Sequence, residues 1–455
     1  MNRTKDMTVG DPKKLITAFA MPILFSHIFQ QLYSTADALI VGKYLGTDSL
    51  AAVSSSGPLI FLIISFFTGT ASGAGIVISR FFGAGDNEKV DRALHTAVLF
   101  AIVAGAAVSI AGLSLSTPLL RLMKTDPDVL PEASEYFSVY FCGSIFVVIY
   151  NICTGALNAV GDSRRPLVYL VISSIVNIVL DIVFVGVCGF GVWSAALATV
   201  ISQLGSVTLC LAYLLGKKAP YRLRLRKLRF HRDMLSLILR YGIPSGIQGS
   251  VIGLANVIVQ SNINSFGKLA TAAYGCYAKL EGFAFLPITC YTMALTTFVS
   301  QNLGAGKYDR AKKGSVFGIV SCVVMAEVIG VLMLLLARPL LSFFTKNQAA
   351  IAVGERQIQV EALFFCMLSF SHCIAAIMRG AGRPMVPMFV MLGAWCVLRV
   401  TYISVVVPLV GESWVIFSAY PLTWTVSSIV FLLFYLKSDW IHGFDKKERA
   451  PAGRT

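Results

Sequence analysis

Charged residues are scarce in this chain of 455 residues: aspartate, glutamate, lysine and arginine together make up only 13% of it. An ordinary soluble domain carries about a quarter, whereas 56% of this sequence is hydrophobic. The apolar residues form long runs without any charge, for example residues 97–115 and 136–161. A bilayer core about 30 Å thick requires about 20 mostly apolar residues per helix. Since such runs recur along the whole chain, the sequence predicts a multi-pass membrane protein rather than a soluble domain with one anchor.

Motifs for metal binding and for catalysis are absent. The ten cysteines are scattered, mostly within apolar runs, and show no CxxC or Cys/His spacing, which argues against a zinc site and a disulfide framework. The sequence contains no HExxH and no GxSxG motif. We therefore expect no enzyme activity, no cofactor and no metal ion other than a transported sodium.

Acidic residues are few as well: 23 stand against 38 lysines and arginines, which gives a formal net charge of +15. With the N-terminus placed in the cytoplasm, most basic residues lie in cytoplasmic segments, above all in the basic stretch at residues 216–234. The external loops hold few of them, namely Lys43, Arg121, Lys124, Lys268, Arg338, Lys346 and Arg356. This bias is the positive-inside rule of membrane proteins. The charge therefore indicates topology, with both termini cytoplasmic, and no nucleic-acid partner.

Hydropathy predicts an all-α fold of twelve transmembrane helices. They are expected at residues 15–41, 50–79, 92–116, 134–158, 165–187, 191–216, 237–263, 269–301, 314–337, 355–379, 384–410 and 413–437. We divide the chain into a first lobe (1–216), a basic cytoplasmic linker (217–236), a second lobe (237–437) and a cytoplasmic tail (438–455). Each lobe contains six helices.

The two lobes repeat one another at a constant spacing of 221 residues. At this spacing the turn ending in Gly85 matches the turn ending in Gly306, and Trp193 matches Trp414. Further pairs are Gly46 with Gly267, Gly161 with Gly382 and Pro166 with Pro387. Because six helices return the chain to the same side, the lobes insert in parallel, related by a pseudo-twofold axis along the membrane normal. The glycine turns themselves are expected to be tight helix ends with positive φ, not phosphate loops.

Two acids interrupt the apolar helices of the first lobe. Gln30, Tyr33 and Asp37 recur at helical spacing on one face, and Asn177 shares a face with Asp181. The neighbouring helices add four polar residues, namely Asn151, Asn158, Thr199 and Gln203. Interhelical hydrogen bonds would explain the amides and the threonine, but they explain two carboxyl groups poorly. We favour a coupling-ion site at Gln30, Tyr33, Asp37, Asn177, Asp181 and Thr199, with the choice between a proton and sodium left open.

The second lobe does not copy these acids. The repeat places Tyr402 where the first lobe has Asp181, and it places Arg399 one turn earlier. A buried arginine requires an acidic partner, which Glu281 or Glu361 could supply as a structural ion pair or as part of a substrate site. The substrate-cavity candidates are therefore Asn151, Asn158, Gln203, Glu281, Arg399 and Tyr402.

Several stretches together resemble one transporter family. They are residues 22–42, the two Gly-Ala-Gly turns, residues 155–166, and residues 177–181 together with 191–203. In these stretches the chain resembles bacterial multidrug and toxic compound extrusion (MATE) transporters, within the superfamily of multidrug, oligosaccharidyl-lipid and polysaccharide exporters. The resemblance covers nearly all twelve helices. It departs in the seventh helix, where residues 244–253 lack the glutamate that helps some members bind sodium in the second lobe, and Glu281 resembles the acid of a different subgroup.

The resemblance implies an antiporter of the bacterial cytoplasmic membrane that works as a monomer. It implies export of small amphipathic, often cationic drugs against a proton or sodium gradient, by a rocker-switch motion of the two lobes. It also implies that Gln30, Tyr33, Asp37, Asn177, Asp181 and Thr199 bind the coupling ion. The alternative is a flippase for a lipid-linked sugar or another anionic amphiphile, to which Arg399 and Lys279 could contribute positive charge. A membrane-embedded enzyme is disfavoured by the missing catalytic motifs, and a channel or receptor by the parallel repeat.

Overall fold

The structure, a computed structural model, describes residues 6–122, 127–216 and 221–444. All regular elements in these ranges are helical. The α-helices are α1 (Pro12–Tyr44), α2 (Thr47–Gly83), α3 (Asn87–Leu122), α4 (Leu130–Cys142), α5 (Ser144–Ala159), α6 (Arg164–Asp181), α7 (Trp193–Gly216), α8 (Arg232–Ser265), α9 (Lys268–Gly304), α10 (Tyr308–Leu335), α11 (Ala337–Ser342), α12 (Gln348–Glu361), α13 (Phe365–Gly380), α14 (Met385–Met391), α15 (Arg399–Val410) and α16 (Trp414–Lys437). Two π-helical segments, Ile182–Val187 and Leu392–Leu398, and two 3-10 turns, Leu225–Lys227 and Ala362–Phe364, complete the helical elements of these ranges.

These elements form twelve membrane spans, as predicted. Eleven are long and apolar enough on their own, and α4 with α5 forms the twelfth, bent by 46° at Gly143. Several helices run further than the hydropathy indicated; α8, for example, begins at Arg232 rather than at 237. Hydropathy detects only the lipid-embedded part of a helix, and the polar turns at its ends carry no such signal.

The surface of α10 shows what these spans are built to contact. Val316, Val320, Val324 and Val328 recur every fourth residue and are each more than half exposed. Such a continuous apolar stripe is unfavourable in water but suits contact with lipid chains. The stripe therefore supports membrane embedding of α10.

The repeat is visible in the backbone. Gly46 and Gly267 precede α2 and α9 with φ of 94° and 91°, and Gly85 and Gly306 follow the same helices with φ of 71° and 69°. The amides after these helices close the same turn, since Asp86 N donates to Phe81 O (3.0 Å) and Lys307 N to Asn302 O (2.8 Å). The prediction of tight glycine-dependent turns is therefore confirmed in both halves.

Contacts divide the described residues into two compact units. The first unit contains Asp6 and Phe25–Gly246, and the second contains Met7–Leu24 and the chain from Ile247 onward. The bounds fall within α1 and α8, so that each of these helices contributes to both units. That the lobes at 1–216 and 237–437 act as domains, with a linker at 217–236 and a tail at 438–455, stays a prediction.

Close helix packing in the first unit depends on small residues. A Cβ built on Gly242 of α8 would lie 2.8 Å from the Thr70 Cα of α2, and one on Gly73 would lie 2.4 Å from Gly242 N. Inside a membrane, helices gain little from hydrophobic burial and associate instead through such close backbone approach.

The residues before α1 are anchored to the second unit. Met7 is buried, its N–H donates to Gln301 Oε1 (3.0 Å), and its carbonyl accepts from Asn302 Nδ2 (3.1 Å). Arg310 Nη1 donates to Gly10 O (2.6 Å). The start of α1 is thus fixed at the turn between α9 and α10.

Candidate functional site

Two carboxyl groups meet inside the first unit. Asp37 lies on α1, and Asp181 is fully buried at the end of α6, directly before the π-helical segment Ile182–Val187. The two carboxyl groups are near neighbours that interact electrostatically. Within the described residues nothing donates to Asp37 Oδ1 or to either carboxylate oxygen of Asp181. The pair is therefore suited to share a cation, and a hydrogen bond between the two acids requires a proton on one of them.

The structure brings the other predicted ion-site residues to the same region. Tyr33 lies near Gln30 and within electrostatic range of both acids. One turn before Asp181, the buried Asn177 donates through Nδ2 to Thr199 Oγ1 (3.4 Å). Asn177 Oδ1 has no donor among the described residues. An amide oxygen that receives no hydrogen bond, close to two acids, is a suitable ligand for sodium.

Sequence reasoning missed two tyrosines of α4. Tyr136 is buried within electrostatic range of Asp37 and Asp181, and its ring stacks on Tyr140 with centroids 6.4 Å apart. Both tyrosines pack with Val41 and Val185, each of which lies four residues after one of the acids. The available signal was the spacing of four residues between two tyrosines in an apolar helix, which reads equally well as ordinary core.

The remaining first-unit candidates do not visibly join this cluster. Asn151 Nδ2 donates to the Val147 carbonyl (2.9 Å), one turn earlier in its own helix. Asn158 is buried at the end of α5, and its Oδ1, like Gln203 Oε1, has no hydrogen-bond partner in the described chain. Their role in a substrate cavity stays a prediction.

Arg399 is the buried cation of the second unit, with an exposed fraction of 1%. Its Nη2 donates to Thr423 Oγ1 (2.9 Å). Its guanidinium carbon lies 4.3 Å from the ring centre of Tyr420 and 5.1 Å from that of Trp395. Its Nε has no acceptor among the described groups. Aromatic faces and one hydroxyl thus solvate most of this charge.

Two glutamates lie near Arg399 without touching it. The fully buried Glu361 accepts from the Tyr277 hydroxyl (2.7 Å) and from Gln357 Nε2 (2.9 Å). Glu281 and Glu361 both lie within electrostatic range of Arg399. Among the described residues, no carboxylate oxygen lies within 4.0 Å of an Arg399 nitrogen, which is the limit for a salt bridge. The expected ion pair is therefore replaced by a looser cluster, since Glu361 is already held by two neutral donors.

The other cationic and aromatic candidates make contacts of their own. Lys279 is exposed, and its ammonium lies 5.6 Å from the ring centre of Phe344. The Tyr402 hydroxyl pairs with Ser418 Oγ (3.0 Å). Neither contact involves Arg399, although Lys279 and Tyr402 are close to Glu281 and Arg399 in the sequence.

Comparison with known proteins decides the family. The MatE family model matches the chain twice, at residues 22–183 and 244–404. The chain belongs to the MATE family. The paired matches coincide with the repeat, and the resemblance inferred from the sequence is confirmed.

Individual relatives agree with this assignment. The protein is similar to the probable multidrug resistance protein YoeA of Bacillus subtilis (strain 168), with 30% identity over 379 residues and 82% of each chain covered. It is also similar to the FAD transporter of Shewanella oneidensis, with 26% identity over 361 residues, 78% of this chain and 79% of the relative.

A solved structure supports the fold. The outward-facing structure of a multidrug resistance MATE family transporter of the MOP superfamily aligns with a TM-score of 0.90 at 23% identity, and the alignment covers 98% of this chain and 99% of the other. The two-bundle, twelve-helix fold is thereby confirmed. This MATE protein is a multi-pass membrane transport protein and, as predicted, not an enzyme.

Proposed function

We propose that this MATE protein is an antiporter that exports small amphipathic, cationic compounds in exchange for protons or sodium ions. The observation that carries the proposal is the pair of Asp37 and Asp181, two membrane-buried carboxyl groups with three oxygens that receive no donor from the described residues. An ionisable residue inside a membrane span costs about 2.5–3.5 kcal/mol to insert. Two such residues in mutual contact fit a site that is loaded and unloaded with a cation.

The geometry favours a proton over sodium as the coupling ion. Two neighbouring acids repel when both are ionised, and one proton shared between them removes the repulsion. Sodium remains the second candidate, because Asn177 Oδ1 and the Thr199 hydroxyl could complete an oxygen shell with the two acids. Either ion changes the charge of the first unit by one.

The transport cycle follows from this change of charge. We infer that loading the acid pair repacks α1 against α6 and lowers the affinity for the cationic substrate. The two units then alternate access by a rocker-switch motion. A monomer in the bacterial cytoplasmic membrane, with both termini in the cytoplasm, is sufficient for the cycle.

The energy released when one ion crosses the membrane is sufficient to drive export. One charge that crosses a potential of 100 mV releases about 2.3 kcal/mol. At 1.4 kcal/mol per factor of ten, this sustains a substrate gradient of roughly fifty-fold. One exchanged cation per substrate is therefore enough for useful efflux.

The proposal that the substrate is cationic rests on the second unit and on the relatives. Arg399 is accompanied by Glu281 and Glu361, so the cluster does not present a surplus of positive charge to an anionic lipid-linked sugar. Relatives are described as multidrug resistance proteins, and one is described as an FAD transporter. FAD is therefore the anionic competitor to include in the transport test.

Proteoliposomes with separately imposed gradients test the proposal. A proton gradient should drive uptake of a cationic dye, and Asp37→Asn and Asp181→Asn should each abolish gradient-driven uptake. The control is Glu135→Gln, which neutralises an exposed acid of α4 and should leave uptake unchanged. Gradient-dependent transport at the wild-type rate in Asp37→Asn would contradict the proposed site. Uptake of FAD instead of the dye would contradict the cationic substrate.

A further inference from the structure

The described part of the basic linker, residues 221–231, packs against α3 and α7 of the same unit. Tyr221 and Leu223 are buried, whereas Arg222 and Arg224 between and beside them are exposed. Leu223 N donates to Leu214 O (2.9 Å) of α7. A basic linker in this position could simply be solvated, so its docking requires specific contacts.

The first of these contacts fixes the protonation state of His95. His95 lies on α3 with no exposed surface. Its Nδ1 is 2.7 Å from the Asp91 carbonyl, which can only accept, so Nδ1 carries the proton. Its Nε2 is 2.9 Å from the backbone N–H of Arg224, which can only donate. Docking of Arg224 therefore requires a neutral His95 with an unprotonated Nε2.

The second contact makes the same demand on His231. Its Nε2 is 3.0 Å from Nε of Arg229, which carries a hydrogen in the guanidinium and can only donate. Its Nδ1 lies 3.2 Å from Thr96 Oγ1, and the same hydroxyl accepts from the His231 backbone N–H (3.2 Å). Arg229 and His231 both belong to the linker, so this bond shapes the docked linker itself, and Thr96 is the contact with α3. The docked state therefore needs an unprotonated Nε2 on both imidazoles.

We propose that His95 and His231 form a proton-binding site that releases the linker from α3 when it is occupied. A proton on His95 Nε2 opposes the N–H of Arg224, and a proton on His231 Nε2 opposes the guanidinium of Arg229. The first protonation removes a hydrogen bond between the linker and α3, and the second removes one that shapes the docked linker; each places two donors against each other. The site is separate from Asp37 and Asp181, and it stands whether or not those acids carry the coupling ion.

The charged groups around the two histidines are consistent with release of the linker on protonation. Asp91 lies 3.6 Å from His95 Nδ1 and also binds Lys227 Nζ (3.4 Å), so it connects the histidine to the linker. Asp91 attracts a protonated His95, but it contacts Nδ1 and cannot relieve the clash at Nε2. Around His231, Arg92 forms a salt bridge with Asp233 (2.9 Å).

The pKa of His231 supports the same conclusion. Burial, followed by the positive charges of Arg229 and Arg92, lowers the pKa of His231 below its ordinary value of 6.5. The released linker therefore binds a proton more readily than the docked linker. Docking is complete above a pH of about 6.5 and weakens as the pH falls below it.

The consequence is a conformational response to acid at the membrane face that carries the basic linker. His231 directly precedes α8, whose first residue is Arg232. The released segment would include residues 224–231, the connection that enters α8. The structure thus assigns a pH-sensing function to a stretch whose charge alone indicates only membrane topology.

Hydrogen exchange on the full-length protein in lipid nanodiscs tests the proposal without a mutation. Exchange at histidine carbon reports the protonation of His95 and His231, and amide exchange reports the docking of residues 224–231. Amide exchange rates are first corrected for their intrinsic dependence on pH. From about pH 8 to about pH 5.5, the corrected rates in the linker should then rise roughly tenfold, and the midpoint of this rise should coincide with the measured protonation of the histidines. Peptides of α10 should keep their corrected rates and serve as the internal control for folding.

Two results would overturn the proposal. One is a linker that stays protected after both histidines are protonated, and the other is a linker that is released while both are neutral. A double variant, His95→Gln with His231→Gln, adds a matched arm, because glutamine offers an oxygen acceptor near the Nε2 position and does not titrate. It should keep the linker docked at both pH values, and acid release equal to wild type in this variant would also refute the site.

Discussion

Replacing Arg399 by methionine removes the buried cation of the second unit and keeps most of the side-chain volume. The variant loses the hydrogen bond to Thr423 and the contacts with the faces of Tyr420 and Trp395. A hydrogen bond from a charged group is worth about 1.5–3 kcal/mol, and a desolvated cation–π contact about 2 kcal/mol. Glu281 and Glu361 also lose the positive charge of Arg399. The hydrogen bond and the cation–π contact together give an expected loss of about 3–5 kcal/mol.

A second substitution separates charge from packing. In Arg399→Met with Glu361→Gln, the carboxyl group is neutralised, while an amide can still accept from Tyr277. This double variant should be more stable than Arg399→Met alone, because the uncompensated acid is gone. The measurement is thermal unfolding in detergent, followed by tryptophan fluorescence and by monodisperse elution. The reasoning fails if Arg399→Met unfolds at the wild-type temperature, or if the two substitutions destabilise additively.

Two glycine substitutions test the packing and the turns in the same unfolding assay. Gly242→Ala should cost about 1–3 kcal/mol by overpacking against Thr70, whereas Gly275→Ala, with no atom within 4 Å of its added Cβ, should be neutral; equal effects would contradict the close packing of α2 and α8. Gly306→Ala should cost about 1–2 kcal/mol, because its φ of 69° is left-handed. Gly205→Ala, in the middle of α7 and equally free of neighbours, should not destabilise the protein at all, and a tolerated Gly306→Ala would show that the turn does not depend on positive φ.

Much of the candidate site was predictable because helical spacing relates residues of one helix. Asp37 with Tyr33, and Asp181 with Asn177, share a face by periodicity alone. Asn177 and Thr199 were predicted to belong to one site, and the structure joins them by a hydrogen bond. The assignment of these residues to a coupling ion stays a prediction, since geometry places them together without showing the ion.

The contacts of Arg399, Tyr136 and His95 were not predictable in this way. Arg399 was expected to pair with a glutamate, yet it lies against aromatic rings while Glu361 is held by Tyr277 and Gln357. Tyr136 gave no signal beyond that of an ordinary core residue. His95 became significant only because Arg224, distant in the sequence, donates to it.

The sequence by itself determined the membrane class, the twelve spans, the duplicated halves and the positions of the buried acids. These follow from hydropathy, from a constant repeat spacing and from helical periodicity, all of which act along the chain. Only the tertiary structure decided which faces meet: that Tyr136 lies beside Asp37 and Asp181, that Arg399 is solvated by aromatic faces, and that two histidines must be neutral for the linker to dock. The physical reason is that a buried polar group takes whichever donor or acceptor the neighbouring helix presents, and packing across the chain selects that neighbour.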